Sequence, residues 1–99
     1  MPELSRIEYF LTEHMKHFRE EYKVKRLGIF GSVARNESTG ESDLDLLVEF
    51  EEGEATFDHY MDLKFYIEDN LEIKVDLVTK AALRKEYRDQ VLEETIYVG

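Results

Sequence analysis

Residues 24–50 read VKRLGIFGSVARNESTGESDLDLLVEF, and the fold turns on how this stretch is divided. Val24 to Phe30 has the composition of a strand and runs into the pair Gly31-Ser32. A short helical turn and a polar loop follow over residues 33–42. Asp43 to Phe50 is then the strongest strand signal in the chain, Leu-Leu-Val inside an acidic frame. The connection is short enough for hairpin-like, antiparallel pairing around a helical turn, so the expected sheet is mixed rather than all-parallel.

Outward from this stretch, helices and strands alternate. Residues 3 to about 22 carry Leu4, Ile7, Leu11, Met15, Phe18 and Tyr22 at spacings of three and four, one apolar stripe of an amphipathic helix. Phe57 to Leu71 is a second helix, its buried side assigned to Phe57, Tyr60, Leu63, Ile67 and Leu71. Ile73 to Val78 is a third strand. From Lys80 to about Thr95 the chain is helical again, with Leu83, Tyr87 and Val91 as its stripe, before the ending Ile96-Tyr97-Val98-Gly99. The expectation is an α/β fold in a single domain, residues 1–99.

Composition narrows the function. With 23 acidic and 13 basic residues the net charge is -10, which repels a phosphate backbone and argues against direct nucleic-acid binding. A small anionic ligand held through metal, or a basic protein partner, suits that charge better. The absence of cysteine excludes disulfides, thiolate zinc sites and cysteine nucleophiles. No segment approaches the ~20 apolar residues of a membrane span and no apolar signal run opens the chain, so the expected location is cytoplasmic.

The chemistry concentrates in six residues. Asp43 and Asp45 lie two apart on a strand, so both carboxylates point to one face while Leu44, Leu46 and Val48 point into the core. Two such carboxylates repel unless a cation sits between them, and magnesium prefers one or two carboxylates with phosphate oxygens and water. Asp76 lies within Ile-Lys-Val-Asp-Leu-Val, an apolar strand where an unpaired charge is costly; on a neighbouring strand it would face the pair. Three such acids can hold two metal ions. Gly31 lets a phosphate approach the backbone, the following amides and the Ser32 hydroxyl can donate to it at a helix start, and Arg35 lies one turn on with its planar fork. Each has a plainer reading alone: Ser32 as a helix N-cap, Asp-x-Asp as turn chemistry, Asp76 paired with Lys74 or Arg26, Arg35 as a surface cation. His14 and His17 have a spacing that could suit a metal, but a solvated helix face explains them more simply.

Taken together, Gly31-Ser32, ten intervening residues and Asp43-Leu44-Asp45 form a pattern that resembles the DNA-polymerase-beta-like nucleotidyltransferase superfamily. The fuller run Phe-Gly-Ser-Val-Ala-Arg…Ser-Asp-Leu-Asp-Leu-Leu-Val is similar to its minimal branch, the MNT domains, and Lys-Val-Asp-Leu-Val matches the strand that supplies the third acid. That resemblance implies a small mixed sheet with helices packed on one face and the acids on the other. It implies catalysis and magnesium binding by Asp43, Asp45 and Asp76, with Asp76 as base, and triphosphate binding by Gly31, Ser32 and Arg35. It further implies an antitoxin that transfers AMP from ATP to a tyrosine of a HEPN-domain ribonuclease toxin. Two other readings stand beside it: a noncatalytic acidic module that neutralises a toxin by contact, and nucleotidyl transfer to RNA or a small molecule. A calcium loop fails, because residues 36–45 lack the alternating ligands and closing glutamate.

Overall fold

In the computed structural model, which describes residues 4–37 and 43–99, the N-terminal stripe forms α1 (Leu4–Glu21) with Ile7, Leu11, Met15 and Phe18 buried. The chain continues through β1 (Val24–Phe30), α2 (Gly31–Ala34), β2 (Leu44–Phe50), α3 (Phe57–Leu71) and β3 (Val75–Thr79). A 3-10 turn (Lys80–Ala82), α4 (Lys85–Glu94) and β4 (Ile96–Val98) complete it. The polar loop expected before Asp43 lies largely at residues 38–42, outside the described residues.

The four strands form one sheet in the order β3-β2-β1-β4. β1 is antiparallel to both β2 and β4, and β2 is parallel to β3, so the sheet is mixed as expected. The two-residue alternation of the strands sorts their side chains. Leu27, Ile29, Leu44, Leu46, Val48, Val75 and Leu77 join the stripe of α1 and Leu63 and Ile67 of α3 in one core. Full burial of each such side chain contributes about 1.5–3 kcal/mol. The opposite face, called the open face below, carries Gly28, Asp45, Leu47, Glu49, Asp76 and Tyr97 in register positions across the four strands.

The β3 edge of the sheet is covered. On the outer side of β3 the Val75 N–H donates to Glu68 Oε2 at 2.8 Å, and the Tyr60 hydroxyl donates to the Leu77 carbonyl. Side chains of α3 thus occupy backbone groups that could otherwise recruit another strand. On the far side, β4 pairs Ile96 with Ile29 and Val98 with Leu27. Gly28 makes that approach possible, since a Cβ there would lie 2.3 Å from Cγ2 of Thr95.

Several expectations fail for physical reasons. Phe57 is 76% exposed, because it is the first residue of α3, after the Thr56 cap, and lies before the helix reaches the sheet. The Leu83, Tyr87, Val91 stripe is not buried, Tyr87 is 56% exposed, and α4 has no buried residue of its own. β4 is a strand that three residues are too short to announce. His14 and His17 are not solvated: both are half-buried against Tyr66 of α3, at ring-centroid distances of 5.7 and 4.9 Å, and the His14 ring also stacks on Phe10.

The contrast within α3 is measurable. Ile67→Ala should cost about 2–5 kcal/mol in urea unfolding, as expected for a cavity in a packed core, whereas Phe57→Ala should stay within about 0.5 kcal/mol.

Candidate active site

The site is built by register. Parallel pairing of β2 and β3 sets Asp45 directly opposite Asp76, both on the open face, and Asp43 is exposed at the entry to β2. β1 contributes its end: Phe30 pairs with Asp45, which brings the turn at Gly31 against the carboxylate. Gly31 has φ +75, and a Cβ on it would fall 2.0 Å from Oδ2 of Asp45. Glycine is therefore required twice here, by the left-handed backbone and by the closeness of the acid.

Asp45 bears the electrostatic strain of this arrangement. It is half-buried, and its pKa is pushed from 3.8 to about 6, first by burial, then by Asp76 and Asp43. Arg35 acts in the other direction and Glu94 adds to the rise. Repulsion within the Asp43, Asp45 pair was expected, as was a cost for an unpaired Asp76 in an apolar strand. Asp76 is exposed, because the open face of an edge strand meets solvent, so it escapes the penalty of burial. Among the described residues neither Lys74 nor Arg26 pairs with it. Arg26 lies 3.6 Å from Glu49 and stacks on Tyr97 at 3.8 Å.

The Gly31–Ala34 segment is a single turn. Phe30 holds the N-cap position and no side chain caps it, so Ser32 is not the cap that its sequence context allows. The turn closes through Arg35 N–H to the Gly31 carbonyl at 3.1 Å and Glu37 N–H to the Ser32 carbonyl at 2.8 Å. A four-residue helix has little dipole, so what it offers an anion is N–H groups and the Ser32 hydroxyl.

Arg35 sits at the end of that turn with its guanidinium between two acids. Its Nε donates to Glu37 Oε2 at 3.1 Å and one terminal nitrogen donates to Glu94 Oε2 at 3.1 Å, which hold its pKa above the ordinary value. Glu94 is the site residue that the sequence did not disclose. It is the last residue of α4, and its Oε1 accepts from the backbone N–H of Gly31 at 3.1 Å. No local motif marks it, since its place depends on the pairing of β4 with β1.

The described side chains do not converge into a preformed three-ligand metal cage. What the backbone provides is two carboxylates facing one another across a parallel register with an open side. That arrangement fits magnesium, which completes its octahedron with phosphate oxygens and water. Among the described residues no helix is long and apolar enough to cross a membrane.

Comparison with known proteins agrees with this geometry. The model of the nucleotidyltransferase domain family matches residues 11–98. A candidate protein adenylyltransferase of Methanocaldococcus jannaschii is 46% identical over 99 residues, covering 99% of this chain and 100% of that protein. The protein adenylyltransferase MntA of Thermococcus cleftensis is 41% identical over 95 residues, covering 96% and 95%. A solved structure described as a candidate minimal nucleotidyltransferase superposes with a TM-score of 0.81 at 38% identity, over 96% of this chain and 95% of that one.

The raised pKa of Asp45 has a consequence for stability. Below about pH 4 the acid is protonated folded or unfolded and contributes nothing. Between about 4 and 6 the folded state holds the extra proton, so stability falls as pH rises, and above about 6 the penalty is complete. In metal-free protein at pH 7.5, Asp45→Asn should therefore raise stability by about 1–2 kcal/mol, allowing for solvent screening, and the gain should vanish at pH 4. Urea unfolding in chelator at the two pH values measures it.

Proposed function

The chain belongs to the nucleotidyltransferase domain family, and we propose that it transfers AMP from ATP to a protein hydroxyl, a tyrosine of a HEPN-type toxin, and so acts as an antitoxin. The observation that carries this reading is the facing pair Asp45 and Asp76 beside the Gly31 turn, a carboxylate site next to a backbone able to receive phosphate. The names of its relatives support protein as the acceptor. The fold is also shared by chains of solved toxin–antitoxin complexes. One is described as a toxin–antitoxin with AMP-PNP (TM-score 0.69, 18% identity). Another is a tri-AMPylated Shewanella oneidensis HEPN toxin with an MNT antitoxin (TM-score 0.62, 16% identity).

In this reading Asp43, Asp45 and Asp76 hold magnesium, with two ions expected, and the metal supplies charge neutralisation for the triphosphate and the leaving pyrophosphate. The Gly31 N–H, Ser32 and Arg35 hold phosphate oxygens and fix the α-phosphorus for in-line attack. Asp76 takes the proton of the attacking tyrosine Oη. It suits that part better than Asp45, because it is exposed on an edge strand where a protein acceptor can reach it, while Asp45 lies half-buried. The Oη–Pα bond forms, the Pα–O bond to the β-phosphate breaks, and pyrophosphate departs with its charge met by Arg35.

Purified protein incubated with magnesium, ATP labelled on either the α or the γ phosphate, and its genomic neighbour where that encodes a HEPN protein, or else source-cell lysate, tests the proposal. Alpha label should appear on a toxin tyrosine and fall about a hundredfold or more with the Asp43→Asn, Asp45→Asn double variant. Gamma label on the toxin would overturn the reaction class. A stable complex without label, unaffected by the double variant, would favour the noncatalytic binding module.

A further inference from the structure

We propose that Glu94 is an internal stand-in for phosphate: its carboxylate occupies the anion site made by the Gly31 amide and Arg35, and a triphosphate must displace it to bind. This rests on the reading of Gly31 and Arg35 as triphosphate ligands and adds a residue that sets nucleotide affinity.

The contacts are those of a bound anion. Glu94 Oε1 accepts from the Gly31 N–H at 3.1 Å and from an Arg35 terminal nitrogen at 3.3 Å, and Oε2 accepts from the same nitrogen at 3.1 Å. An ordinary surface ion pair with Arg35 would contribute little and would have no cause to turn toward a backbone amide. This carboxylate is only 23% exposed and adds to the charge that already burdens Asp45. It is held among like charges by the donors that phosphate would use.

The neighbouring chain anchors the residue while leaving its side chain free to turn. Thr95 Oγ1 donates to the Val91 carbonyl at 2.6 Å, the Thr95 methyl lies over Gly28, and Ile96 pairs with Ile29. The backbone of Glu94 is thus fixed between α4 and β4, but rotation about its side-chain bonds can withdraw the carboxylate without disturbing the sheet. Arg35 retains Glu37 when Glu94 leaves. The binding-competent form is then a fraction of the resting population, and apparent affinity is reduced by that fraction.

Titration calorimetry with AMP-PNP plus magnesium, and separately with inorganic tripolyphosphate, reads this without catalysis. Glu94→Gln keeps the size of the side chain and removes its charge; it should lower Kd about tenfold for both probes, with folding checked by thermal melting. Glu93→Gln, the same charge change one residue away, should leave Kd unaltered, and an equal tightening there would reduce the effect to net charge and overturn the proposal. Arg35→Ala separates the two layers of inference. If it weakens binding while Glu94→Gln fails to tighten it, the stand-in is wrong and the phosphate site survives. If it leaves binding unchanged, the phosphate site itself is wrong, and the proposal falls with it.

Discussion

Two carboxylates placed opposite one another across a parallel register repel, and the architecture of this protein is organised around that repulsion. Asp45 cannot move away from Asp76 without changing the register of β2 on β3, because a shift of one residue would turn Leu44, Leu46 and Val48 out of the core. Nor can it retreat toward β1, where Gly31 already stands at the limit of approach. The core therefore holds the acids in place, and burial of Asp45, with the charge of Asp76 and Asp43 added, lets its carboxyl keep a proton to about pH 6. In the proposed reading a cation bound by these acids would relieve that strain, so the instability of the arrangement and its proposed chemistry would have one cause.

Much of this was legible in the sequence, and the boundary of legibility has a physical basis. β1 and α3 follow from local pattern and appear over Val24–Phe30 and Phe57–Leu71, as read. The antiparallel pairing of β1 with β2 was read from a connection short enough to permit a hairpin-like return around a helical turn, and it is the pairing found. The six candidate residues are brought to one region of the open face because strand alternation and the Gly31 turn are short-range geometry. Their roles as ligands and catalysts remain proposals, since alternation places side chains without assigning them work.

What escaped notice depends on distant contacts. Tyr87 reads as a buried helical position yet is exposed, and periodicity reports the helix without reporting whether anything covers it. β4 is three residues long, and only the free edge of β1 makes it a strand. Glu94 enters the site through that same pairing, so no motif could have marked it. His14 and His17 stray from the stripe of α1 but meet Tyr66, a residue of another helix, and so become part of an aromatic packing layer.

The net charge of -10 bears on how a nucleotide could reach this face. A free triphosphate approaching Asp43, Asp45, Asp76 and Glu94 meets like charge at every step, with Arg35 as the cation that faces Asp45 from the turn beside it. Attraction at such a surface is reserved for cations, and it falls with ionic strength over a Debye length of about 8 Å at physiological salt. The metal complex of a nucleotide carries less negative charge and presents a divalent ion to the very groups that repel the free form. In the proposed function, discrimination for metal-bound nucleotide would thus be built into the same carboxylates that would hold the metal. A Glu94 carboxylate on the Gly31 amide would sharpen it, since on that proposal the phosphates must arrive with enough compensating charge to take its place.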